Sequence, residues 1–208
     1  MTAPPVSSAP MLEQRIQQQF FDSADLKYQA AEILARPVAD AVQAVLGCIT
    51  AGGKLLVCGA GASMADAQRL VAHLVDRFER ERPGLPALVL GADATLFAVS
   101  ADGSDPAQVY AKQVQALGSP GDVLVAISAL GQSAAILAAV DAAHDKEMTV
   151  VALTGHGGGP LRTRLLETDV HICVPHERAA RIQEVHALVL NCLCDGVDLQ
   201  LLGEQDNP

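Results

Sequence analysis

The chain has 208 residues with 24 acidic against 14 basic side chains, a formal charge of −10. That length suits one core, since single cores stop growing at ~250–300 residues, and the acidic balance argues against a direct grip on nucleic acid or an anionic membrane. Half the residues are hydrophobic, yet there is no Trp and only 3% are aromatic. No uninterrupted apolar run approaches the ~20 residues that cross a bilayer, so the core is expected from Ala, Val, Leu and Ile.

Residues 1–11 read as a flexible Pro/Ser-rich leader, without the basic region, apolar run and cleavage site of a signal peptide, and a cytoplasmic location is expected. Helical periodicity then runs over 12–51 and is expected to break at Arg36-Pro37, because the residue before a proline is pushed out of the α region, giving helices 12–35 and 37–51. Lys54–Cys58 is a short apolar strand, followed by the loop Gly59-Ala60-Gly61-Ala62-Ser63 and a helix to about Arg80. Further strands are expected at 87–90, 122–127, 149–154 and 170–174, with a helix from about Ser133 and a last one over 177–202. Continuous apolar strands separated by helices predict an α/β fold, a doubly wound and mainly parallel sheet with helices on both faces, behind an N-terminal helical extension. Cys48, Cys58, Cys173, Cys192 and Cys194 form no CxxC pair and read as buried, reduced thiols.

Parallel sheets bind ligands at the carboxyl ends of their strands, so the loops after Cys58, Ile127 and Thr154 carry the chemistry. Ser63 opens a capping-box-like S-x-x-D with Asp66, and Ser133 opens a helix after Ser128-Ala129-Leu130-Gly131-Gln132. Each places a hydroxyl and free N–H groups at a helix N-terminus, either to cap the helix or to seat a phosphate. Gly59-x-Gly61 lacks the third glycine of a dinucleotide fingerprint, so no nicotinamide cofactor is expected, nor any other.

The stretches CGAGASMADAQ (58–68), RFERERPGLPAL (77–88), YAKQVQALGSPGDVLVAIS (110–128), VVALTGHGGG (150–159) and ARIQEVHALVLNCLCD (180–195) resemble the sugar isomerase (SIS) domain in its phosphoheptose isomerase branch. The resemblance implies the SIS fold over 52–208, residues 12–51 as oligomerising helices, and a homotetramer with active sites between subunits. It also implies a metal held by His, Glu, Gln and His, with the Glu and one His moving protons. Those positions fall on Arg69, His73, Gln183 and Asn191 in this chain. Arginine is neither ligand nor base and an amide shuttles no proton, so no catalytic residue and no metal site are assigned. The phosphate site of the family falls on Ser63, Ser128, Gln132 and Ser133, where Ala129-Leu130-Gly131-Gln132 departs from the usual serine- and threonine-rich loop.

Asn191-Cys192-Leu193-Cys194-Asp195 and the acidic tail through Gln205 and Asp206 resemble the DnaA initiator-associating (DiaA) branch of the same fold. The reading taken from this is a non-catalytic homotetramer that binds the replication initiator DnaA and promotes its assembly at the origin, with Leu199, Leu201 and Leu202 as partner contacts. Two alternatives stay open. One is a phosphoheptose isomerase converting sedoheptulose 7-phosphate to D-glycero-D-manno-heptose 7-phosphate, with His73 as base; the other is a sugar-phosphate sensor.

Overall fold

The structure, a computed structural model, describes residues 9–93, residue 95 and residues 105–204. The first eight residues of the expected leader, and Gln205 and Asp206 of the tail, lie outside the described residues.

Helix α1 spans Ala9–Thr50 without interruption, with Pro37 inside it. The two-helix expectation is therefore corrected. A proline in a helix interior costs ~3 kcal/mol, whereas fully burying one Val or Leu returns ~1.5–3 kcal/mol. Leu26, Leu34, Val42 and Val45 are all buried on either side of Pro37, so packing outweighs the missing hydrogen bond. Along the helix expected to oligomerise, Ile16, Phe20 and Ile33 are exposed, whereas Leu34 belongs to the core.

The sheet follows the expected pattern closely: β1 (Leu55–Gly59), β2 (Ala87–Val89), β3 (Val123–Ile127), β4 (Thr149–Gly155) and β5 (Val170–Val174). All pairs are parallel, in the order β2-β1-β3-β4-β5. Between them run α2 (Ser63–Val75), α3 (Val109–Leu117), α4 (Ala134–Asp145) and the one-turn α5 (Gly159–Arg162), and α6 (Ala179–Leu202) ends the fold. Helix α2 stops at Val75, a turn before the expected end near Arg80.

Side chains alternate across each strand, which divides the core into two layers. Leu55, Val57, Val123, Val125, Ile127, Val151 and Leu153 pack under α1, α2 and α6. Leu56, Cys58, Leu124, Ala126, Val150 and Ala152 pack under α3 and α4. Helices α1 and α6 each contain an 18-residue stretch of mean hydropathy 1.4, interrupted by charged residues. The two lie against each other, tied by Arg181, whose Nη1 donates to Glu184 Oε2 (2.6 Å) and whose Nη2 donates to Gln19 Oε1 (3.1 Å). All five cysteines are free; Cys48, Cys58 and Cys194 are buried, whereas Cys173 is half-buried and Cys192 exposed.

Candidate active site at the carboxyl edge of the sheet

Strand order reverses about β1: the chain steps outward to β2 on one side and returns on the other at β3. Loops leaving β1 and β3 therefore diverge to opposite faces and open a crevice between them, the usual ligand position in such sheets. The two loops start side by side, with Gly59 in register with Ile127 and Ala60 N donating to Ile127 O at 2.9 Å. A buried Tyr110 hydroxyl donates to Gly59 O at 2.9 Å and fixes the strand end. Helix α2 turns back so tightly that a Cβ on Gly59 would lie 2.2 Å from Ser63 O. Gly131 sits at φ +63 with its missing Cβ 2.0 Å from Gly158 O, so the loops after β3 and β4 lock together there.

Ser63 is completely buried, and its Oγ has no hydrogen-bond partner. The capping box does not form. Ala62 occupies the cap position, and Asp66, which would have reached back, instead accepts from Arg69 Nη2 at 2.8 Å. Ser128 is buried across the crevice, and Ser133 stands at the head of α4 in an extended conformation without a capping hydrogen bond. Gln132 is exposed beside it. Both serine-headed helices thus have uncapped N-termini at the crevice, and the Ser63 hydroxyl is buried beside it without a partner.

The other candidate residues lie along the seam of α2 and α6. Arg69 and His73 are one turn apart on α2 and both half-buried; the His73 ring packs edge-on to Phe78 at 5.1 Å between centroids. Arg69 Nε is buried without a partner. Opposite them, Cys194 is within the electrostatic reach of Asp198, Arg82 and Arg69, and burial pushes its thiol up to about 12. Asn191, one turn before Cys194, belongs to the same seam and is half-buried. Gln183 is eight residues earlier, ~12 Å along the helix axis, beside Ile182, which covers Gly155. His186 is structural: its Nε2 donates to Thr154 O at 3.0 Å, and burial pushes its pKa down to about 4.

Sequence reasoning missed the group that binds this seam together. Arg82, from the loop after α2, is buried with Nε on Asp198 Oδ1 of α6 at 2.5 Å, while its other nitrogens donate to Leu74 O and His73 O, each at 2.8 Å. In sequence it is one charge among the many of Arg77–Arg82, and only its partner distinguishes it from a solvated one. Leu199 and Leu202 are exposed, as their helical phase implies, but Leu201 packs against the core.

A resident metal does not fit. The donors at the implied positions are a guanidinium, an imidazole and two carboxamides; the guanidinium offers no lone pair and repels a cation, and carboxamide oxygens bind weakly. Among the described residues no three His, Cys, Asp or Glu side chains converge to replace them.

The profile of the SIS domain family matches residues 19–155. The phosphoheptose isomerase of Methylibium petroleiphilum is 68% identical over 196 residues, covering 94% of this chain and 98% of that protein. The phosphoheptose isomerase of Aromatoleum aromaticum is 52% identical, over 92% and 97% of the two chains. Among solved structures, the phosphoheptose isomerase GmhA of Neisseria gonorrhoeae superposes with a TM-score of 0.85 at 41% identity, covering 90% of this chain and 98% of that one. The phosphoheptose isomerase of Francisella tularensis gives 0.86 at 41% identity, over 89% and 97%.

These relatives overturn the expectation of a non-catalytic DnaA-binding scaffold. Chains alike from end to end are named as enzymes, and the segment that suggested otherwise has a packing explanation: in Asn191-Cys192-Leu193-Cys194-Asp195, Leu193 and Cys194 are core residues facing the sheet and α2. The fold, the family profile and the end-to-end relatives agree that this chain belongs to the SIS-domain family, in its phosphoheptose isomerase group.

Proposed function

We propose that this protein is a cytoplasmic aldose–ketose isomerase acting on a seven-carbon sugar phosphate, interconverting sedoheptulose 7-phosphate and D-glycero-D-manno-heptose 7-phosphate. The observation that carries the reading is the Ser63 hydroxyl, buried and unpaired at the head of α2 in the crevice between β1 and β3. Leaving a buried hydroxyl unpaired costs ~1–3 kcal/mol, a penalty relieved when a ligand oxygen accepts from it. Ser128, Gln132 and Ser133 with the first N–H groups of α4 complete a neutral phosphate cradle, in which backbone and hydroxyl donors and two helix dipoles take the place of lysines.

Isomerisation needs one group to carry a proton between neighbouring carbons. On this seam the His73 imidazole is the group placed to accept and return that proton. Asn191 and Gln183 orient sugar hydroxyls by hydrogen bonding. The exposed apolar residues of α1, among them Ile16, Phe20, Phe21 and Ile33, close against other copies in a homotetramer.

The test is incubation of purified protein with sedoheptulose 7-phosphate and detection of the aldose by NMR. Formation of the aldose, abolished in His73→Ala while the oligomer persists, is expected. No aldose over hours at micromolar enzyme would overturn the reading.

A further inference from the structure

Arg69 occupies the position where the resemblance places a metal ligand, and the donor set around it does not fit a metal. We propose that its guanidinium does the metal's work: Arg69 is the electrophile that holds the oxygen on which charge develops during isomerisation. The proposal rests on the isomerase reading above.

Three observations carry it. Asp66 Oδ1 accepts from Nη2 at 2.8 Å and so fixes the plane of the guanidinium from one edge. Nε, on another edge, is buried with no acceptor, although the side chain as a whole is 38% exposed and within reach of a small ligand. His73 follows at i+4 on the same face, ~6 Å along the helix, a spacing that lets one group touch a carbonyl oxygen while the other meets the adjacent carbon. The guanidinium is thus held by Asp66 on one side and keeps donors that no protein group uses. A guanidinium stays charged at any pH the protein meets and offers several directed donors, which suits it to a planar enediolate.

The step balances without a further reagent. With the ketose bound, the neutral imidazole of His73 takes a proton from C1. The C1–H electrons become the C1=C2 bond, and the carbonyl π electrons move to O2, which Arg69 holds as an enediolate oxygen. The O1 hydroxyl proton passes to O2, the imidazolium returns its proton to C2, and the aldehyde forms at C1.

The experiment compares wild type, Arg69→Met, Arg69→Lys and Arg69→Gly, all treated with chelator, for turnover of sedoheptulose 7-phosphate and for affinity toward inorganic phosphate. Wild-type turnover is expected to survive chelation. Arg69→Met is expected to lower kcat by ~10²–10³, the usual cost of removing one oxyanion donor, with phosphate affinity within about twofold. Arg69→Lys is expected to be intermediate, and added guanidinium ion to restore part of the activity of Arg69→Gly. If Arg69→Met misfolds by circular dichroism, Arg69→Lys with an intact fold must still lose about tenfold or more. Full activity in a folded variant would overturn the proposal. So would wild-type turnover that is lost on chelation and restored by zinc, which leaves the isomerase reading standing. A wild type inert both with and without zinc overturns proposal and reading together.

Discussion

Replacing Arg82 by Met removes the charge that joins α2 to α6. Its side chain and that of Asp198 are only 1% and 3% exposed, so little water is available to take its place. Four hydrogen bonds disappear, to Asp198 Oδ1, Leu74 O, His73 O and Pro83 O, and Asp198 is left buried with neither oxygen paired, since Oδ2 already lacks a partner. Breaking a buried pair from one side costs ~3–5 kcal/mol, a large share of the ~5–15 kcal/mol that holds a typical domain together. With a urea m-value of ~2 kcal/mol per M, the midpoint should fall by about 2 M at fixed protomer concentration. The double variant Arg82→Met/Asp198→Leu removes the orphaned charge and should recover at least half the loss. A shift below about 0.5 M in Arg82→Met, or a double variant no more stable than the single, would refute the view that this pair is a desolvated clamp.

His186 sets a pH dependence. Its folded pKa of about 4 lies below the ordinary 6.5, so the unfolded chain binds the extra proton between those values and stability falls as pH drops through that window. About 3 kcal/mol should be lost between pH 7 and 4, with His186→Gln losing correspondingly less in urea titrations at several pH values. Ser63→Ala should leave the unfolding midpoint unchanged or slightly raised, because it removes an unpaired hydroxyl, while weakening sugar-phosphate affinity about tenfold by calorimetry; unchanged affinity would remove Ser63 from the cradle. Light scattering should give a tetramer, and Phe20→Asp should shift it toward smaller species; a wild-type monomer at micromolar concentration would contradict the role given to α1.

The strands were legible because burial on both faces writes them as unbroken apolar runs such as Leu124–Ile127, bounded by Gly and Asp. Pro37 misled because local backbone preference competes with tertiary packing, and the buried stripe from Leu26 to Cys48 wins. The crevice could be located from Ser63, Ser128 and Ser133, yet whether Ser63 caps its helix or faces a ligand depends on where Asp66 points, which spacing alone leaves open. Arg82 and Asp198 were illegible for the same reason: 116 residues separate them, and a charge reveals its burial only through its partner. The C-terminal pattern 191–195 was read as a partner signature, whereas Leu193 and Cys194 are core residues.

The central claim is tested most directly by solvent exchange. Wild-type protein and sedoheptulose 7-phosphate in deuterium oxide should yield aldose with deuterium at C2 and return ketose labelled at C1, both lost in His73→Ala. Ketose recovered unlabelled and unconverted from a correctly assembled wild type would contradict it.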